Sequence, residues 1–296
     1  MKSVLDSIGN TPLVNLDEYV GCRCYAKMEY LNPSGSIKDR IAFKMLDDAI
    51  INKKLKPGMQ IVEATSGNTG IALSMVASIL HYPITIVMPE NMSIERQKIM
   101  KAYGANVILT KQEQNVEGAV KKAKEIAQSN DFYMPNQFEN KSNVLAQQQT
   151  AYEAINQIEE KIDIFVTGIG SGGTIQGFKN ILSQKNPDCK IIAVEPKGAS
   201  ILNNQPPKIH QIQGIGDGFI PPILDSHIID DIIEVSDLDA INTTKALTKK
   251  FGLFCGISSG ANIYACQEVV KKYGKEKTIL TILPDRGDRY LSENVF

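Results

Sequence analysis

The sequence predicts an α/β fold with two largely parallel, twisted sheets flanked by helices. Three observations carry this. Short apolar runs alternate with helix-length amphipathic segments over most of the chain, the order of βαβ units. The runs are continuous rather than alternating apolar and polar, as strands covered on both faces must be. Glycine-rich turns recur where a run gives way to a helical segment.

Strands are expected at 60–65 (QIVEAT), 84–89 (ITIVMP) and 106–110 (NVILT), with helices at 69–80, 93–104 and 115–129. Ser93 reads as a helix N-cap and Gly104 as the C′ stop of the same helix. After a polar break at Pro135-Asn136-Gln137 the alternation resumes: helix 142–158, strand 163–169, helix 174–184 and strand 190–196. A looser stretch, 197–226, precedes helices at 238–252 and 260–273 and a strand at 278–284. The two series imply two sheets, meeting near 35–40 and 140–146.

Bulk properties narrow the function. The 296 residues suffice for two modest domains, and 43% hydrophobic against 22% charged content argues for an ordered globule. Thirty-two basic and 33 acidic residues give a net charge of −1 with no basic run, so no nucleic-acid partner is expected. The start has no apolar signal region and no apolar run reaches about 18 residues, so a cytoplasmic protein without membrane association is expected. An odd set of cysteines (Cys22, Cys24, Cys189, Cys255, Cys266) points to reduced thiols. Cys22-x-Cys24 has no second pair and histidines are few (His81, His210, His227), so ordinary thiols on a strand are expected and no metal site.

Five stretches carry chemistry. Gly168-Ile169-Gly170-Ser171-Gly172-Gly173 satisfies G-x-G-x-x-G between a strand and a helix, and Glu195 follows at the end of the next strand. That allows a dinucleotide site and a nicotinamide-dependent dehydrogenase. The physics is broader: such a turn offers backbone N–H groups and a helix N-terminus to any phosphate, and Ser171 and Thr174 add hydroxyl donors. In "NPSGSIKDR" (32–40), Lys38 opens a helical pattern, where the helix dipole disfavours a cation unless something compensates. A covalent aldehyde partner would relieve the conflict. In "EATSGNTG" (63–70), Thr65, Ser66, Asn68 and Thr69 form an anion cradle at a second helix start, suited to a carboxylate, or simply cap that helix. "CGISSGA" (255–261) is a third glycine/serine turn. "GIGDGF" (214–219) sets Asp217 among glycines that let a backbone pass close to a ligand.

Together "NPSGSIKDR", "TSGNTG", "GSGGT", "QGIGDGFIP", "GISSGA" and "LPDRGDRYLS" resemble, in order and approximate spacing, the motifs of the cysteine synthase family. These are pyridoxal-phosphate enzymes of fold type II, tryptophan synthase β-like and related to cystathionine β-synthase. "IGNTPLV" (8–14) and "PENMSIERQKIMKAYGA" (89–105) match as well, so the resemblance runs from about residue 4 to the C-terminus. It displaces the dehydrogenase reading, which accounts for one motif only.

The resemblance implies a smaller domain over 40–145 that binds the substrate carboxylate and closes, and a larger one, 1–39 plus 146–296, that binds the cofactor phosphate. It implies that Lys38 holds pyridoxal 5′-phosphate covalently and removes the substrate α-proton, and that Asn68 bonds the ring hydroxyl oxygen. Gly170, Ser171, Gly172, Gly173 and Thr174 would cradle the phosphate, and Ser258 would face the ring nitrogen. A hydroxyl there weakens the electron sink and favours β-elimination. Thr65, Ser66, Thr69 and Gln137 would bind the α-carboxylate. The implied reaction is β-replacement through α-aminoacrylate, with O-acetylserine and sulfide giving cysteine and acetate. A homodimer is implied, as is the association with a serine acetyltransferase known for some relatives. The end of the chain at Phe296 carries the expectation of no haem-binding extension and no C-terminal regulatory domain.

One position departs from the pattern. Where cysteine synthases typically have alanine, this sequence has Asp217. Pointing to water, it changes nothing. Pointing inward, a carboxylate about 5 Å from another anion at an effective dielectric near 20 repels it by about 3 kcal/mol, which hinders bisulfide attack. The same group could serve as acid or base for a neutral thiol. The alternative reaction is therefore a sulfide-releasing β-replacement that consumes cysteine and forms serine or lanthionine, with Asp217 as acid/base.

Overall fold

The computed structural model describes residues 3–65, 67–293 and 295–296. The chain opens with β1 (Leu13–Asn15), α1 (Asp17–Val20) and β2 (Cys24–Lys27), then α2 (Lys38–Ile51). Next come β3 (Gln60–Ala64), α3 (Asn68–Ile79), β4 (Ile84–Pro89), α4 (Ile94–Ala102), β5 (Asn106–Thr110), α5 (Asn115–Ile126) and β6 (Phe132–Tyr133). The remainder is α6 (Lys141–Asn156), β7 (Ile164–Gly168), α7 (Gly173–Lys185), β8 (Lys190–Pro196), β9 (Asp231–Val235), α8 (Asp237–Phe251), α9 (Ile257–Tyr273) and β10 (Ile279–Ile282).

Among the described residues these strands form two sheets, ordered β1-β2-β10-β7-β8-β9 and β5-β4-β3-β6. All pairings are parallel except β1 with β2. In the larger sheet Val166 stands opposite Ile192 on one side and Thr281 on the other. The apolar runs become strands because helices cover both faces: every residue of β4 is buried. α3, apolar all round, is buried over nearly its whole length, whereas α5 buries only the stripe containing Ala119 and Ala123.

Chain order explains where a ligand goes. From β7 the chain steps outward to β8 and β9, then returns to place β10 on the other side of β7. From β3 it steps to β4 and β5, then returns with β6 on the other side of β3. Each sheet therefore reverses direction at one strand, and the crevice beyond its carboxyl end is the ligand position of open α/β sheets. The turns beyond β3 and β7 are the Thr65–Thr69 and Gly168–Gly173 stretches.

Several expectations shift. α9 begins at Ile257 rather than 260, with Gly256 as its N-cap, so Ser258 lies inside the first turn. Ser93 takes the N-cap position of α4, but its hydroxyl accepts no capping bond. Gly104, at φ +88, follows the C-cap Tyr103 as the left-handed stop. The short β1 and the edge strand β9 lie outside the predicted elements, while the strand expected at Cys22-x-Cys24 begins only at Cys24 as β2; β9 is mostly half-buried and owes its strand character to pairing with β8. Cys24 opens β2 and Cys22 precedes it; all five cysteines are buried.

Candidate active site

The turns beyond β3 and β7 open on a single cavity of about 790 Å³. Beyond β7, Gly168 N donates to Asn262 Oδ1 (2.8 Å), and Asn262 Nδ2 donates to Ile282 O (2.9 Å), which pins the strand end to β10. The turn that follows has no room for a side chain at its glycines. A Cβ on Gly170 would run into Gly214 O, and one on Gly173 into Asn143 Oδ1. Gly172 sits at φ +81, with Leu224 Cβ 2.9 Å from where its own Cβ would stand. Gly170, Ser171, Gly172 and Thr174 line the cavity, while Gly173 begins α7. Backbone N–H groups, two hydroxyls and the positive end of a helix thus face one pole of the cavity, as a phosphate requires.

Lys38 enters the same cavity from the first residue of α2. Burial pushes its ammonium pKa down, opposed by the charges of Asp217 and Asp285. Asp217 faces inward: it lines the cavity, and its Oδ2 lies 3.8 Å from where a Cβ on Gly170 would stand. Burial raises its carboxyl pKa, opposed by Lys38 and His210. The loop owes its path to Gly214, Gly216 and Gly218, all at positive φ, and Gly216 N donates to Ile169 O (2.9 Å). His210 braces it, its Nε2–H donating to Gly216 O (3.1 Å).

Across the cavity, Thr65, Asn68 and Thr69 present the second turn; Ser66, expected beside them, lies outside the described residues. Thr69 Oγ1 donates to Gln137 Oε1 (2.6 Å), joining two of the expected carboxylate ligands. Asn143 Nδ2 donates to Gln137 O (2.9 Å) and to Ser171 Oγ (3.0 Å), joining this side to the glycine turn. Glu63, buried in β3, accepts from Asn136 N (2.6 Å), and burial pushes its pKa up to about 8. Asn68 Nδ2 donates to Asp285 Oδ2 (2.7 Å), and the buried Asn68 Oδ1 has no partner among the described residues. Ser258, 4% exposed, lines the cavity from the first turn of α9.

Sequence reasoning assigned no role to Asn143, His210, Asp285, Glu63 or Arg96. Asp285 and Arg96 lie inside stretches that carry the family resemblance, and that is the only signal the sequence holds for them. Glu195, the acid a dinucleotide site would use, is not in the cavity wall. It accepts from Ser200 Oγ (2.5 Å) and Leu202 N (3.1 Å).

A pyridoxal phosphate fits these residues. The glycine turn suits its phosphate, Lys38 is an amine within the cavity, and Asn68 brings a polar atom with no partner among the described residues. Residues 4–285 match the family model described as pyridoxal-phosphate dependent enzyme. Cysteine synthase B of Campylobacter jejuni subsp. jejuni is 46% identical over 297 aligned positions, covering 100% of this chain and 98% of that protein. The cysteine synthase structure from Entamoeba histolytica has a TM-score of 0.95 at 40% identity, covering 100% of this chain and 90% of that one. A hydrogen sulfide-producing enzyme from Fusobacterium nucleatum has a TM-score of 0.93 at 38% identity, covering 98% and 100%. The chain belongs to the cysteine synthase family of pyridoxal-phosphate dependent enzymes.

Proposed function

We propose that the protein catalyses β-replacement on a small amino acid in cysteine metabolism, with O-acetylserine and sulfide giving cysteine and acetate. One observation carries the reading: Lys38, the glycine turn heading α7 and the Thr65–Thr69 turn heading α3 all face one cavity. When bound, pyridoxal phosphate supplies an aldehyde for attachment to Lys38 and a conjugated ring that draws electron density from the substrate α-carbon.

In this reading, Gly170, Ser171, Gly172, Gly173 and Thr174 hold the phosphate through backbone N–H groups, hydroxyls and the start of α7. Lys38 Nζ, its pKa lowered by burial, takes the proton from the substrate α-carbon. Asn68 orients the ring through its amide, and Ser258 gives the ring nitrogen a hydroxyl rather than a charge. Thr65, Ser66, Thr69 and Gln137 hold the α-carboxylate. The Cβ substituent leaves, and a nucleophile adds at Cβ. The segment 40–145 closes over the substrate.

The inward Asp217 favours a second reading in which cysteine is the donor. Burial raises the Asp217 pKa, so the carboxyl can give its proton to the departing thiolate. It then takes one from water or from a second cysteine thiol, giving serine or lanthionine. Purified holoenzyme assayed with O-acetylserine plus sulfide, and separately with cysteine alone, tests both. Wild type is expected to form cysteine in the first assay and release sulfide in the second. Asp217→Ala should lose about 100-fold of sulfide release. Equal sulfide release from the two proteins removes Asp217 from the mechanism, and no turnover of either donor overturns the functional reading.

Among the described residues no helix is long and apolar enough to cross a membrane. The same reading carries a cytoplasmic location, a homodimer and association with a serine acetyltransferase, which fractionation, sedimentation and co-purification test.

A further inference from the structure

Arg96, in the first turn of α4, is 2% exposed, yet among the described residues no carboxylate lies within ion-pair distance of it. Arginine cannot shed its charge to escape burial. Its direct contacts are neutral: Nη1 donates to Gln213 Oε1, the guanidinium lies 5.1 Å from the centroid of the Tyr290 ring, and Nε has no hydrogen-bond partner among the described residues. The carboxylate on this side, Asp285, is engaged beyond that ring by the Tyr290 hydroxyl. A buried charge is costly unless it is paired, and a neutral amide with one aromatic face compensates only part of the cost.

The position of Arg96 shows what completes it. It lines the cavity and presses on the turn heading α3: a Cβ on Gly67 would stand 2.6 Å from Arg96 Cδ and 2.7 Å from Nε. Gly67 is thus the residue that lets the guanidinium lie against the turn bearing Thr65 and Thr69. Its other contact, Gln213, heads the loop that carries Asp217. One buried cation therefore touches the turn on the small-sheet side and the loop on the large-sheet side. The first turn of α4 is held as well, because Glu95 accepts from Ser292 N (3.1 Å) and Ser292 Oγ (2.8 Å).

We infer that Arg96 is a specificity residue: its charge is balanced by the free carboxylate of the amino-acid substrate on the adjoining turn, and its bond to Gln213 draws the Asp217 loop over that substrate. The ligand class is an α-amino acid with an ionised carboxylate, in preference to the corresponding carboxamide. This rests on the β-replacement reading, which assigns the turn to the carboxylate. Arg96 acts through the turn and the loop as a positioning residue, with no role in proton transfer.

The test titrates holoenzyme with L-serine and with L-serinamide, following the visible absorbance of the bound cofactor. Wild type is expected to favour L-serine, and Arg96→Gln to lose about 10- to 100-fold of that preference, the range of a charge-assisted contact. Affinity for L-serinamide should stay within about threefold. Gln213→Glu supplies an internal carboxylate to Arg96 and should lower the preference in the same direction, which serves if Arg96→Gln does not fold. An unchanged ratio of the two affinities in a folded variant overturns the inference and leaves the β-replacement reading standing. Absence of any spectral response in wild type overturns both.

Discussion

Asn68 Nδ2 donates to Asp285 Oδ2 at 2.7 Å across 217 residues of sequence, joining the start of α3 to the segment after β10. The same Oδ2 accepts from Tyr290 OH (2.7 Å), and Asp285 is fully buried. The bond fixes the Asn68 amide, whose Oδ1 has no partner among the described residues, and Asp285 places a negative charge that partly opposes the lowering of the Lys38 ammonium pKa by burial.

Asp285→Asn is therefore expected to do two separable things. Loss of the charge lowers the Lys38 pKa further, so in cofactor-free protein Lys38 should react with an amine-directed reagent at neutral pH a few times faster than in wild type. The variant keeps an acceptor for Asn68 Nδ2 but makes the bond neutral rather than charge-assisted, which should reduce kcat/KM by about 5- to 10-fold. An unchanged labelling rate would show that the Asp285 charge does not reach Lys38.

Glu63 gives a pH-dependent stability. Its folded pKa, about 8, lies above its unfolded value, so the contribution is fully present below the unfolded value near 4.5 and falls as pH rises to about 8. Over that window the unfolded chain has ionised Glu63 while the folded chain keeps it protonated. Glu63→Gln retains an acceptor for Asn136 N but cannot ionise. Denaturant unfolding at pH 5 and pH 8.5 should show wild type losing on the order of a few kcal/mol more than the variant between the two. Parallel losses would contradict this account.

A buried charge network anchors the base of α2. Arg40 bonds Glu29 through Nε (2.7 Å) and Nη2 (2.8 Å), and Glu153 through Nη1 (2.7 Å) and Nη2 (2.6 Å); Lys27 Nζ stands 3.3 Å from Glu153. Thr11 Oγ1 also donates to Glu29 (2.6 Å). The two cations and two carboxylates balance. Arg40→Met leaves Glu29 buried without its counter-charge and should cost about 3–5 kcal/mol by denaturant unfolding. Arg40→Lys keeps the charge but not the planar fork and should fall between. A loss below about 1 kcal/mol for Arg40→Met would mean the network is solvated.

The sequence shows the strands and the glycine turns clearly because their causes are local. A continuous apolar run predicts a buried strand wherever it packs, and 84–89, 106–110 and 190–196 are the residues that form β4, β5 and β8. The glycine turn is legible by its pattern between a strand and a helix, and the φ of +81 at Gly172 is a local demand, whereas the neighbours that exclude a Cβ at Gly170, Gly172 and Gly173 (Gly214, Leu224 and Asn143) are brought there by the fold. β9 is harder to read, since a half-buried edge strand takes its character from β8 beside it.

By itself, then, the sequence determined the α/β class, the two series of βαβ units, the glycine turns and the lysine at the head of α2. Only the tertiary structure decided which of these share a cavity, since the chain reversals at β3 and β7 bring their turns together. It also decided the state of the charges. Whether Asp217 meets water or Lys38 depends on how Gly214, Gly216 and Gly218 fold one loop back onto Ile169 and Gly170. Whether Arg96 is an ordinary surface arginine or a buried cation against the Thr65–Thr69 turn depends on how α4 packs. The chemistry of a charge is set by its distance to other charges and to water, and for these residues those distances run between segments far apart in the chain.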